Sequence, residues 1–465
     1  MNGRLKNSLW AVAFLMIILA WIFGLFIDLT GDSGLYAAIS RQMVESGDWL
    51  NLKINGEPYD QKPHLFFWLA GLGIQLFGNT NFAFKLFPAL WALTGVYFTY
   101  RLGKLLFSKK TGKLAALFLG TSQIFTLYLL DFHTDSVLHT GVTLALWQLA
   151  FYLKEKKTSS FIFGFIGIGL AMFTKGPIGA VIPFLMVLLY LLNKKEYYQL
   201  FHPKWILGIV ISLAVISPAL FHLFDNFGWD GIRFYFITNN FGRITGEYAG
   251  SSTDYLFYLH TFAWATLPWL VWVIFAHFSE IKSWFSKREK PDWGFYLLGS
   301  ALIFTFILSI AKGKAPNYFL IVVPVISIIT AKWMATFDTF SEKIRRNLIR
   351  GHQALLILLI FLFVFILFIF GVTHILITST ILLFLLIGLF YSKKKERNKF
   401  NRMILKSVFI FGSLHLFLNV EVLPKLFSYQ GPRQALKHFM ENRKPHEPLY
   451  NLHLEEYALF FYAPP

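Results

Sequence analysis

Thirteen stretches of this chain stay apolar for about the 17–25 residues that an α-helix needs to cross hydrocarbon. They lie near residues 9–27, 82–100, 114–130, 137–153, 159–173, 177–192, 205–224, 255–278, 293–311, 316–332, 354–371, 374–391 and 403–420. So many long runs exceed what one soluble core can bury. Of the 465 residues, 56% are hydrophobic and only 15% charged, against about 25% charged in a soluble domain. The runs are continuous rather than alternating, which argues against a β-barrel. In a bilayer each backbone group must be satisfied within the chain, so continuous runs become helices. The expectation is an all-α integral membrane protein with a partner in the lipid bilayer. The chain has no Cys, which excludes a disulfide scaffold and a thiolate metal site.

The net charge of +18 would suggest a nucleic-acid partner in a soluble protein. Here it follows the loops instead. The apolar stretch 65–77 is too short to span and is expected to lie at the interface or re-enter. With that choice, 28 of the 43 Lys and Arg fall on one side of the membrane with 8 acidic residues, against 13 basic and 17 acidic on the other. Basic loops mark the cytoplasmic face. The expected topology is N-terminus inside and C-terminus outside, in a multi-pass plasma (bacterial inner) membrane, with no nucleic-acid partner. No small-x-small cleavage site follows the first span, so it is expected to stay as an anchor. Residues 1–420 form the membrane domain, with external loops at 28–81 and 225–254. The tail, 421–465, is too short for a core of its own.

The polar chemistry gathers on the external side, as expected for a site at the membrane interface. Asp32 precedes a helix-like stretch, and its bland reading is an N-cap. Lys62-Pro63 opens the apolar stretch 65–77, where the bland reading of Lys62 is a snorkelling anchor. Lys62 is also a suitable point charge for phosphate. Asp131, His133 and Asp135 share one short turn, and Lys175, Lys312 and Lys314 sit at other helix ends. The aromatic excess, including Trp49, Trp68, Trp264 and Trp269, reads mostly as an interface belt.

Together these residues resemble a known superfamily. Asp32, Tyr36-Ala37, the amphipathic stretch Ile39–Val44, Ser46-Gly47-Asp48-Trp49, Gly56-Glu57-Pro58-Tyr59 and Lys62-Pro63-His64-Leu65 follow one another within about 35 residues. This order resembles the first external loop of the aminoarabinose lipid A transferase and protein O-mannosyltransferase superfamily, membrane glycosyltransferases of the GT-C fold. Further matches are Asp135, Thr174-Lys175-Gly176-Pro177, Arg243, Pro268-Trp269 and the Lys312–Tyr318 segment. Departures occur at Ser33, Leu35 and His64, where relatives often carry Glu, Arg and Pro, and no His follows Arg243 closely. These leave the acceptor and the donor sugar open.

The resemblance implies a GT-C bundle of about 13 transmembrane helices, with amphipathic helices in the first external loop. It implies inverting transfer of a sugar from a polyprenyl phosphate to an acceptor at the external face, lipid A or another glycan or glycolipid. Asp32 and Asp135 are the implied catalytic carboxylates, with Asp32 as base toward the acceptor. Lys62, Arg243, Tyr59 and Tyr318 are the implied ligands of the donor phosphate. Tyr36, Lys312 and Lys314 are the implied substrate contacts. A divalent cation held by Asp32, His133 and Asp135 is an alternative use of that cluster, though the spacing is loose. A protein acceptor is one competing function. A transporter is another, which would place ionisable groups such as Lys85 at mid-membrane.

Overall fold

The computed structural model describes residues 2–247, 251–286, 292–396, 398–444, 447 and 457–463. Helices dominate, as the apolar runs demand. In chain order they are α1 (Asn2–Gly24), α2 (Gly31–Ser46), α3 (Leu65–Phe77), α4 (Asn81–Leu106), α5 (Lys109–Gly120), α6 (Gln123–Leu130), α7 (Thr134–Glu155) and α8 (Thr158–Lys175). There follow α9 (Ile178–Asn193), α10 (Tyr197–Leu200), α11 (Lys204–Arg233), α12 (Asn239–Thr245), α13 (Phe257–Ala265), α14 (Leu270–Trp284), α15 (Trp293–Ile310), α16 (Val323–Ala335) and α17 (Glu342–Phe370). The last are α18 (Ile375–Lys395), α19 (Lys399–Phe417), α20 (Leu423–Phe427), α21 (Gly431–Asn442) and α22 (Ala458–Tyr462).

Among the described residues, ten helices are long and apolar enough to cross a membrane, or eleven if α5 and α6, bent by 50°, form one span. The chain is a multi-pass membrane protein. Besides the bent α5–α6 pair at 114–130, two of the thirteen expected spans account for the difference. The 177–192 segment is α9, only 16 residues long. The 255–278 segment is two helices, α13 and α14, interrupted where Pro268 supplies no backbone N–H to continue the ladder. The stretch 65–77 is the short apolar helix α3, packed on α4 and α2.

The segment expected as a second external loop, 225–254, departs from expectation. Much of 225–254 is helical: α11 bends at Gly228 (φ 59°), and a π-helical turn at Phe234–Thr238 leads into α12. Residues 248–250 of this loop lie outside the described residues. The aromatic belt is likewise only part of the answer. Trp269 is buried, donating to Thr121 Oγ1 at 2.9 Å and stacking on His352. Trp68 donates to the Trp49 carbonyl at 2.7 Å.

Lys85, the intramembrane cation, is fully buried on α4 and donates to the carbonyls of Ile27 (2.6 Å) and Gly24 (3.4 Å). It caps the end of α1, where helix carbonyls lack partners. That role is structural and does not require a transport path.

The tail also differs from expectation. The helical passage runs beyond residue 420, through a π-helical turn to α20. Much of the remainder, 448–456, lies outside the described residues, but 457–463 returns to the first loop. There Arg41 of α2, itself buried, donates to the carbonyls of Phe460 and Phe461 at 3.1 Å and also to that of Ala463. Tyr462 Oη receives the Leu29 N–H at 3.0 Å and donates to Asn81 Oδ1 at 2.7 Å. Phe461 is fully buried against Phe84. The segment 457–463 therefore forms part of the packing of the first loop.

The sequence expectation about sidedness has a direct check. Because the chain has no Cys, single cysteines report sidedness cleanly. A Glu57→Cys chain is expected to react with an impermeant maleimide in intact cells, and a Lys109→Cys chain only after permeabilisation. Both positions are exposed, Glu57 in the α2–α3 connection and Lys109 at the start of α5.

Candidate active site

Asp135 opens the site. It lies in the first turn of α7, where the helix dipole favours a carboxylate. Lys175 ends α8, just before the turn at Gly176-Pro177. The two helices pack very closely. A Cβ at Gly141 would meet Ala171 N at 2.7 Å, and one at Gly167 would meet Ala145 N at 2.6 Å. Small residues here let the backbones approach, and the approach brings both side chains together. Lys175 Nζ reaches Asp135 Oδ1 at 2.8 Å and Oδ2 at 2.6 Å. Asn317 Nδ2 donates to Asp135 Oδ2 at 2.6 Å. Asp135 is only 1% exposed, so an anion there needs this full set of partners. Lys175, at the end of its helix, is thus the partner of Asp135. Its ammonium also lies 4.0 Å from the centre of the Tyr318 ring.

Tyr318 carries the network onward. Arg243 Nη1 donates to Tyr318 Oη at 2.8 Å, and Arg243 Nε to Asn239 Oδ1 at 3.0 Å. The backbone fixes this geometry, since Gly313 N–H donates to the Arg243 carbonyl at 2.8 Å and Lys312 N–H to that of Ile244 at 3.3 Å. The Lys312 and Lys314 side chains do not join. Lys312 is exposed, and Lys314 donates to the Ser252 carbonyl at 3.3 Å.

Lys62 reaches the site through a short hairpin. Lys53–Ile54 pairs with Glu57–Pro58 across Asn55-Gly56, both at positive φ, the usual pair for a tight two-residue turn. The chain then passes Tyr59 and arrives at Lys62. Together Lys62, Lys175, Arg243 and Tyr318 line a cavity of about 270 Å³. Asn239 and Asn240 also line it; the rest of its wall is mostly apolar, including Val181, Phe236, Phe304, Ile307 and Leu308, and among the described residues no carboxylate lines it. Tyr59 is buried beside Phe67, accepts from His222 Nε2 through its carbonyl at 2.9 Å, and does not line the cavity.

Burial, with the positive charges of Lys175 and Arg243, lowers the Lys62 pKa to about 7; Asp32 and Asp135 oppose this. Among the described residues Lys62 has no hydrogen-bond or ion-pair partner. An anion bound in the cavity would hold its proton, so binding above pH 7 takes up a proton. Affinity for a phosphate monoester is therefore expected to fall as pH rises above about 7. Lys62→Arg, which stays charged, should flatten that slope. Titration calorimetry in two buffers of different ionisation enthalpy checks the proton uptake.

Asp32 forms a second group. The N-cap of α2 is Thr30, through a reciprocal pair with Ser33, so the N-cap reading of Asp32 is corrected. Asp32 sits in the first turn with its side chain 61% exposed. Tyr36 Oη donates to Asp32 Oδ2 at 3.4 Å, and His133 Nδ1 lies 3.7 Å from the same oxygen. His133 Nε2 contacts Asp131 Oδ2 at 3.2 Å, and Ser33 Oγ donates to Asp131 Oδ1 at 2.8 Å. Burial works against the His133 cation, but the hydrogen bond and charge of Asp131, aided by Asp135 and Asp32, raise its pKa. Burial, then Tyr59 and Asp32, push the Tyr36 phenol well up, so it serves as a donor. For a divalent cation the arrangement is unsuitable. Among the described residues no group of three His, Asp or Glu could hold one, because Asp135 is given over to Lys175 and Asn317.

The backbone superposes on the crystal structure of ArnT from Cupriavidus metallidurans bound to undecaprenyl phosphate with a TM-score of 0.79 and 19% identity, covering 99% of this chain and 85% of that one. The chain has the GT-C glycosyltransferase fold. Residues 61–222 of this GT-C chain match the family described as dolichyl-phosphate-mannose-protein mannosyltransferase. Among curated proteins it is 28% identical over 315 residues to the undecaprenyl phosphate-alpha-4-amino-4-deoxy-L-arabinose arabinosyl transferase of Yersinia enterocolitica, covering 65% of this chain and 54% of that protein. It is 31% identical over 303 residues to the enzyme of the same name in Aeromonas hydrophila, covering 62% and 53%. The chain thus spans about half the length of these relatives. The residues that sequence reasoning passed over are Asn317 and Asn239. Asn317 lies inside the quoted Lys312–Tyr318 segment and was the legible one of the two.

Proposed function

We propose that this protein moves a sugar from a polyprenyl phosphate to an acceptor at the external face of a bacterial inner membrane, with inversion. The observation that carries this reading is the cavity in which Lys62, Lys175 and Arg243 meet apolar walls. A lipid phosphate needs both halves: cations for the head and hydrocarbon for the first prenyl units. In the reaction the bond between the anomeric carbon and the phosphate oxygen breaks, and its electron pair leaves on the phosphate. Lys62, Arg243 and the Tyr318 hydroxyl are placed to stabilise that charge. The acceptor oxygen attacks from the opposite face, and its proton passes to Asp32, which is open to the exterior and oriented by Tyr36 and His133. Asp135 has both oxygens engaged, so its role here is to position Lys175.

The names of the relatives support an aminoarabinose-type sugar on an undecaprenyl phosphate donor, and the motif resemblance supports a lipid A or other glycolipid acceptor. A protein acceptor, as in the mannosyltransferase description, is the second reading, supported by the match over 61–222. Comparing lipid and glycoprotein mass spectra from cells with and without the gene separates them. A sugar mass lost from a glycolipid supports the first, and one lost from secreted proteins supports the second. Spectra unchanged in both pools would overturn the glycosyl-transfer reading. Asp32→Asn is expected to abolish transfer in a protein that still folds.

A further inference from the structure

A second charged cavity, of about 580 Å³, lies between the polar start of α17 and the start of α19. The span Pro316–Ala335 separates it from Tyr318, since Phe337, just past the far end of that span, is part of its wall. It is therefore at the opposite end of the bundle from the candidate active site. Arg345, Arg346, Arg350, Lys399, Arg402 and Lys406 line it, against the acids Asp338 and Glu342. Among the described residues none of these six cations makes an ion pair. Arg345 Nε is buried there without an acceptor, and Arg402 has only a long contact, 3.4 Å, to the Lys393 carbonyl. Six unpaired cations around one hollow repel one another, and a buried guanidinium N–H without an acceptor is costly.

We propose that this cavity binds the phosphate of an anionic phospholipid. The surroundings favour a lipid over a free phosphate. Gln353 and Leu356 of α17 line the cavity. From there the helix turns wholly apolar, and Ile357, Leu358, Phe361, Phe365 and Phe368 are exposed along it. A headgroup seated among the arginines thus has its acyl chains laid against a lipid-facing apolar surface, the arrangement expected where a basic pocket opens between helices at the membrane edge. The site uses no residue of the Lys62 cavity and stands independently of the proposed reaction.

The test uses the full chain in detergent, with phosphatidylglycerol, phosphatidylcholine or soluble glycerol 3-phosphate added at equal concentration. Phosphatidylglycerol is expected to raise the thermal unfolding midpoint and to be retained in native mass spectra, and the other two are not. The double variant Arg345→Gln/Arg402→Gln should lose at least tenfold in phosphatidylglycerol retention. Equal protection by glycerol 3-phosphate would overturn the lipid assignment. Unchanged retention in the variant would overturn the site. Should the double variant fail to fold, Lys406→Gln alone is expected to lower retention severalfold, and retention equal to the unsubstituted chain again overturns the proposal.

Discussion

Replacing Lys62 with glutamine is expected to slow sugar transfer by about 10²–10³-fold, the usual effect of removing one group that stabilises charge in a transition state. Lys62 is suited to give this result because among the described residues no other group competes for it. Arg243 is already engaged by Asn239 and Tyr318, and Lys175 by Asp135. The loss should appear in kcat as well as KM, since charge on the phosphate grows as the glycosidic bond breaks. Lys62→Arg should recover part of the rate. Kinetics with a synthetic short-chain polyprenyl phosphate sugar would measure both, and a Lys62→Gln enzyme with full activity would remove Lys62 from the reaction.

The second large effect concerns folding. Asp135→Ala leaves Lys175 facing a buried, uncompensated position, and breaking such a pair costs about 3–5 kcal/mol. Lys175→Ala leaves Asp135 with only Asn317 and should cost a similar amount. The double variant Asp135→Asn/Lys175→Met removes both charges and is expected to recover most of the lost stability. It should not recover transfer, because the cavity then lacks one of its cations. Thermal unfolding in detergent of the unsubstituted protein, the Asp135→Asn and Lys175→Met singles and this double variant gives the coupling directly. Additive single effects would show that the pair is not coupled as its 2.6–2.8 Å contacts imply.

Much of this architecture is legible in the sequence because hydrocarbon imposes a length and a composition that a linear reading can detect. The spans at 82–100, 137–153 and 293–311 appear as α4, α7 and α15. Within the first loop Lys62 reaches the cavity and Tyr36 meets Asp32, since the hairpin at Asn55-Gly56 and the α2 cap are local devices encoded within a few residues, whereas Tyr59 does not line the cavity. What stayed hidden depends on distance. Asp135 and Lys175 are 40 residues apart, and nothing local pairs them; Gly141 and Gly167 were the clue, meaningful only once α7 and α8 are known to be neighbours. The interruption of 255–278 was signalled by Pro268, which hydropathy averaging conceals. The helical nature of 225–254 was hidden because its apolar residues suit a π-helical turn and an interfacial helix as well as a loop.

The docking of 457–463 on α2 has a consequence for how the protein is made. The helix that carries Asp32 is made long before 457–463, and Arg41 waits for carbonyls some 419 residues later. At about 5–20 residues per second, that interval is on the order of tens of seconds. Throughout it, the inner face of α2 lacks its cover, and the candidate base sits on an unfinished support. A chain whose synthesis has not yet passed residue 463 is thus expected to be inert, because α2 still lacks these contacts.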